Sequence, residues 1–139
     1  MVQLIVGNEG KGKTKQLIDK VNEEIKNASG NIVFLDRSSK HMFELNNKVR
    51  LIDVSEYDFD NSSEFTGFIY GIVSQDHDIE QMYIDGLMKI AKLTPEAFED
   101  IIKKFDDIST KFNFTIIVTA SIDKSELSAE LQEKVIIAL

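Results

Sequence analysis

The opening 28 residues constrain this chain more than any other stretch. Met1-Val2-Gln3-Leu4-Ile5-Val6 is apolar and β-branched, the pattern of a buried strand. Gly7-Asn8-Glu9-Gly10-Lys11-Gly12-Lys13-Thr14 follows and reads G-x-x-x-x-G-K-T. Beyond it, Leu17, Ile18, Val21, Ile25 and Ala28 fall on one face of a helix. Strand, glycine-rich loop and helix in that order form the context that the phosphate-binding loop called Walker A requires.

The chemistry of such a loop comes from its backbone. Gly7, Gly10 and Gly12 let the main chain turn with its N–H groups inward. Those donors, with the positive end of the next helix, suit a run of phosphates. Lys13 is expected to reach the β- and γ-phosphates, and so counts as catalytic as well as binding. The Thr14 hydroxyl is expected on a magnesium ion shared with the phosphates. Asn8, Glu9, Lys11 and Lys15 complete the candidate binding set; Lys11 is either a further phosphate contact or a solvated lysine. No guanine-reading N-K-x-D motif is present.

Strand and helix patterns then alternate. Asn31 to Leu35 reads as a second buried strand, ending in the polar run Asp36-Arg37-Ser38-Ser39. Ser38 or Ser39 is a cap for a short helix carrying Met42, Phe43 and Leu45. Val49 to Val54 partly alternates, as a strand near the sheet edge does. Asn61 and Glu64 resemble a capping box ahead of a helix with Phe65, Phe68, Ile69, Ile72 and Val73 on one face. Gly67 and Gly71 within it suggest close packing on the sheet, at a cost in helix propensity. Glu80 to Ile84 reads as a strand with Asp85 at its exit, and Leu87 to Leu93 as a loop with one helical turn. Thr94-Pro95-Glu96 starts a helix. Asn113 to Thr119 reads as a strand, Ser125 to Lys134 as a helix, and Val135 to Leu139 as a last strand. The expectation is an α/β three-layer sandwich with a mostly parallel sheet of five or six strands, and one nucleotide-binding domain over residues 1–139.

Charge and composition remove several function classes. The net charge of −8, with only Arg37 and Arg50 as arginines, argues against non-specific nucleic-acid binding. The absence of cysteine removes disulfides and thiol chemistry. No stretch approaches the length of a membrane-spanning helix, and the expected location is the cytoplasm. Asp76-His77-Asp78 and His41 read more simply as solvated than as metal ligands.

A phosphate loop needs a partner carboxylate for magnesium, usually an aspartate ending an apolar strand, Walker B. Asp85 after Met82-Tyr83-Ile84 fits, although it also begins an Asp-Gly turn. With these residues in place, the chain resembles a RecA-like phosphate-loop NTPase reduced to its core. It is similar to small stand-alone bacterial ATP-binding proteins sometimes labelled twitching-motility (PilT-type) proteins. The resemblance implies that the Thr115–Thr119 strand lies between the Walker A and Walker B strands. It places the strands at Ile32 and Val49 beyond Walker B, and Val135–Leu139 on the other side of the first strand. It also implies a polar residue sensing the γ-phosphate, for which Thr119 and Ser121 are candidates.

One departure bears on activity. Hydrolysing members carry a glutamate beside Walker B or after the second strand; here Gly86 and Asp36-Arg37-Ser38-Ser39 occupy those places. Asp36 is either the substitute base or a helix cap. Arg37 or Arg50 is a candidate arginine finger, offered to a neighbouring subunit. The leading function is a magnesium-dependent ATP-binding protein with slow or partner-activated hydrolysis. The alternatives are a non-hydrolysing switch or assembly module acting through a protein partner or self-association, and, last, a small-molecule phosphotransferase.

Overall fold

The computed structural model describes Met1–Leu139. Six strands form one sheet: β1 (Val2–Val6), β2 (Asn31–Asp36), β3 (Arg50–Asp53), β4 (Ile79–Ile84), β5 (Thr115–Ala120) and β6 (Val135–Ala138). Their order is β3-β2-β4-β5-β1-β6, and every pairing is parallel. Five α-helices accompany them: α1 (Lys13–Glu24), α2 (Ser62–Gln75), α3 (Leu87–Ile90), α4 (Pro95–Phe112) and α5 (Ala129–Gln132). The fold is therefore the expected α/β sandwich with six strands. β5 lies between β1 and β4, β2 and β3 lie beyond β4, and β6 flanks β1. No helix is long and apolar enough to cross a membrane.

Strands covered on both faces must be apolar at successive positions, and the period of two then divides their side chains between two cores. Leu4, Val6, Val33, Leu35, Met82, Ile84, Ile116 and Val118 join the larger core, which α2 and α4 cover. Ile5, Ile32, Phe34, Tyr83 and Ile117 point the other way, under Leu17, Ile18, Val21 and Ile25 of α1 and its flank. Leu45 and Val49, from the β2–β3 connection, close that smaller core. Each fully buried aliphatic or aromatic side chain here is worth about 1.5–3 kcal/mol relative to exposure.

This division also fixes where the connections run. Those leaving β1 and β2 pack on the face of the smaller core. Those leaving β3, β4 and β5 contribute Val54, Phe59, Leu87, Ile122 and Leu131 to the larger core. Neighbouring strands whose connections depart to opposite faces leave a crevice at their carboxyl ends. That condition holds between β1 and β5, between β2 and β4, and between β2 and β3.

Several local expectations need correction. Residues 39–45 form turns rather than a helix, and Phe43 is 90% exposed. The segment's role is to carry Leu45 to the smaller core, with Asn22 tying it to α1 through hydrogen bonds to the Glu44 carbonyl and the Asn46 N–H. Gly67 and Gly71 do not mediate close packing, since a Cβ at either would meet nothing within 4 Å. Ser125 to Lys134 breaks into a 3₁₀ turn (Lys124–Glu126) and the short α5, because Asp123 and Ser128 each cap a separate start. Helix α1 stops at Glu24, so Ile25 caps it and Ala28 lies beyond it. The Asn61 cap holds the Glu64 N–H at 3.0 Å, but the Glu64 carboxylate reaches back to the Asp60 N–H rather than to Asn61.

Candidate functional site

The carboxyl ends of β1, β4 and β5 meet around a cavity of about 320 Å³. The loop after β1 supplies Glu9, Gly10, Gly12, Lys13 and Thr14 to its wall. Asp85 and Gly86 come from the end of β4, Met88 and Lys89 from α3, Thr119 and Ser121 from the end of β5, and Arg37 from the end of β2.

The loop is shaped by its glycines. Gly10 and Gly12 have φ of 80° and 89°, a region that L side chains rarely adopt. Gly7 is needed for a different reason: a Cβ there would lie 2.8 Å from the Leu139 carbonyl oxygen. Helix α1 begins on Gly12 with no side-chain cap and no acidic residue in its first turn. By contrast α2, α4 and α5 have Asn61, Thr94 and Ser128 caps and acidic first turns. The first N–H groups of α1 thus keep their capacity for an anion.

The Asp85 carboxylate is held from two sides. Its Oδ2 accepts from the Thr14 hydroxyl at 2.9 Å, and its Oδ1 from the Thr119 hydroxyl at 2.6 Å. The Thr119 oxygen in turn accepts from the Gly86 N–H at 2.7 Å. The chain Thr14–Asp85–Thr119–Gly86 therefore ties the loop, β4 and β5 into one unit, with Asp85 only 8% exposed. The Thr119 hydroxyl is committed to Asp85 and Gly86. Ser121 lines the same cavity and is exposed.

Lys13 donates to the Asn8 carbonyl at 3.0 Å, across its own loop. Burial pushes its ammonium down from the ordinary lysine value, while the charges of Asp85 and Glu9 push it up. Glu9 forms an ion pair with Lys89, which spans from the loop to α3. Lys11 is exposed, and Lys15 turns away to Asp19 at 2.8 Å. Of the nine residues expected to bind phosphate, Gly7, Asn8, Lys11 and Lys15 do not line the cavity.

Asp36 stands apart from the cavity wall. It is 4% exposed, its Oδ1 accepts the Arg37 N–H at 2.7 Å, and its Oδ2 has no partner. Burial raises its pKa above the usual carboxylate value; the Arg37 N–H opposes this and the Asp85 charge adds to it. Arg37 lies over Gly86: a Cβ on that glycine would sit 3.2 Å from the guanidinium Nε. Arg50 is at the other end of the strands, paired with Asp76 at 3.3 Å.

Lys89 and Met88 were not visible as site residues in the sequence. The available signal was spacing: Gly86, with φ of 79°, starts a helical turn, so Lys89 falls beside the Asp85 carboxyl end of β4. No family model matches this chain, and no curated protein matches it.

The donor set suits a hard divalent cation. A hydroxyl and a carboxylate lie side by side next to the glycine-rich loop. No group of three or more histidine, aspartate or glutamate side chains is assembled anywhere. A magnesium ion held here would take its remaining oxygens from phosphate and water, as that ion does.

Proposed function

We propose that this chain is a phosphate-loop protein of RecA-like type that binds ATP as its magnesium complex. The observation that carries the reading is the hydrogen-bonded chain Thr14–Asp85–Thr119–Gly86 set beside the uncapped start of α1. In this reading the N–H groups from Gly10 to Thr14 and the Lys13 ammonium hold the phosphates. Thr14 and Asp85 hold magnesium, directly or through water, with Thr119 fixing the Asp85 rotamer. Magnesium, when bound, neutralises phosphate charge and fixes the phosphates' orientation. Lys13 exchanges the Asn8 carbonyl for phosphate, and Arg37 and Lys89 add positive charge on the side of β2 and α3.

Slow or partner-activated hydrolysis is the leading activity, with Asp36 as the candidate carboxylate to orient water. A binding switch is the second reading. It is favoured by the burial of Asp36 outside the cavity wall, which leaves hydrolysis dependent on a rearrangement or a partner.

Calorimetric titration with ATP, with and without magnesium, tests the binding. Wild type should bind more tightly with magnesium. Lys13→Ala should lose about ten- to a hundredfold, the range for a charged hydrogen-bonding group. Equal binding by wild type and Lys13→Ala would refute the site.

A further inference from the structure

A second cavity, of about 220 Å³, opens between the carboxyl ends of β2 and β3. It is lined by the segment that follows β3, by α3 with Lys92 beyond it, and by Arg37 at the end of β2. The carboxyl ends of the strands are where open parallel sheets place ligands. The cavity shares Arg37 and Lys89 with the phosphate-loop cavity, so the two adjoin across these side chains.

Its lining is divided by chemistry. Val54, Phe59 and Ile90 are buried in the larger core and give it an apolar wall. The Tyr57 ring is 49% exposed and rests on Phe68 with centroids 5.2 Å apart. Three cations, Arg37, Lys89 and Lys92, line it with Asp58 as the only lining carboxylate, Lys89 being paired with Glu9 of the neighbouring cavity. That concentration is notable in a chain of net charge −8 with two arginines. Lys92 also has φ of 54°, one of only two non-glycine residues at positive φ. Such backbone costs of order 1–3 kcal/mol and persists where the surroundings impose it. Asp60 approaches Lys92 only at 3.8 Å, an exposed pair of little strength.

We propose that this cavity is a second ligand site, for a small organic anion with a planar apolar body. The anion would be met by Arg37, Lys89 and Lys92, and the body would lie between Tyr57 and the wall of Val54 and Ile90. Because Arg37 and Lys89 belong to both cavities, a ligand in one alters the charge presented to the other. Binding is therefore coupled, and by linkage the coupling is reciprocal. The site stands on its own lining; the coupling rests on the nucleotide reading.

Phenyl phosphate, which joins a ring to a dianion, is a suitable probe, followed by amide NMR on the full chain. The expected result is saturable shifts at Ser55, Tyr57, Ile90 and Lys92 with Kd at or below about 1 mM. Inorganic phosphate should bind there at least about tenfold more weakly. Lys92→Gly keeps the backbone conformation while removing the cation, and Tyr57→Ala removes the ring. Each should weaken phenyl phosphate about tenfold, with Mg-ADP shifts at Gly10 to Thr14 unchanged. No saturable shift at the second cavity, or shifts confined to Gly10–Thr14, would overturn the proposal. A change of about fivefold or more in Mg-ADP affinity on saturation with phenyl phosphate supports the coupling, and no change refutes it. Failure of the nucleotide reading shows separately, as silent Gly10–Thr14 amides with Mg-ADP.

Discussion

Asp36 and Asp76 lie at opposite ends of the same parallel strands, and their surroundings differ in kind. Asp76, just before β4, accepts from the Asn31 side chain at 2.9 and 3.1 Å, from the Asp78 N–H at 2.9 Å and from Arg50 at 3.3 Å. Burial pushes its pKa up, but those bonds and the Arg50 charge together outweigh it, and the net shift is down. Asp36, at the end of β2, keeps one oxygen without a partner, and burial prevails. Nearby, Glu80 likewise satisfies two N–H groups, of Ser29 and Gly30, at the amino ends. At the amino ends these two acids are engaged by hydrogen bonds from Ser29, Gly30, Asn31 and Asp78. The carboxyl ends keep the uncapped start of α1, cations shared by two cavities and an orphan oxygen. The acids Asp76 and Glu80 are thus engaged at one end, while at the other Asp36 keeps a buried oxygen without a partner.

The largest expected effect that tests this contrast is at Asp85. Asp85→Asn should weaken Mg-ATP by about ten- to a hundredfold and leave magnesium-free ATP little changed, measured by calorimetry. Comparable loss in both conditions would show that Asp85 acts only as a structural acid.

Asp76→Ala should instead destabilise the fold by about 1–2 kcal/mol in denaturant unfolding at neutral pH, with Mg-ATP affinity unchanged. Because the folded pKa of Asp76 is lowered, its stabilisation is present above the unfolded value and lost as pH falls through the folded one. The cost of the substitution should fade on acidification. A loss of nucleotide binding in Asp76→Ala would break the division between the two ends.

Asp36→Asn should raise stability at neutral pH by about 1 kcal/mol, a melting increase of about 4 °C. The folded pKa of Asp36 lies above its unfolded value. The stability tied to its neutral form is complete below the unfolded value and lost as pH rises through the folded one. Asparagine is neutral throughout, so the gain should vanish at acid pH. A destabilised Asp36→Asn would mean that Asp36 is as well satisfied as Asp76.

The smallest effect is a control away from both ends. Gly67→Ala, on the exposed side of α2 with open space around it, should add about 0.5–1 kcal/mol without touching ligand affinity.

The fold was legible where burial alone decides structure. Val2–Val6, Asn31–Asp36 and Thr115–Ala120 are short apolar runs buried on both faces, and Thr94 and Asn61 are caps whose geometry is local. Residues 39–45 misled because Met42 and Phe43 imitate a helical face although both are exposed. Only Leu45 is held, by a core assembled from distant strands. In the site, the glycine-rich loop and Asp85 were readable from spacing. The Glu9–Lys89 pair, Arg37 over Gly86 and the unsatisfied Asp36 oxygen were not, because each depends on strands paired across the sheet. Lys15 shows the converse: spacing groups it with the loop, but one residue further round α1 turns it to Asp19.

Paramagnetic broadening by manganese, added with ATP to the full chain, tests the difference between the two ends most directly. The expected result is ATP-dependent loss of the Thr14 and Gly86 amide signals, with Asn31 and Asp78 remaining sharp. Broadening centred on Asp76 to Asp78, or none at Thr14 and Gly86, would contradict it.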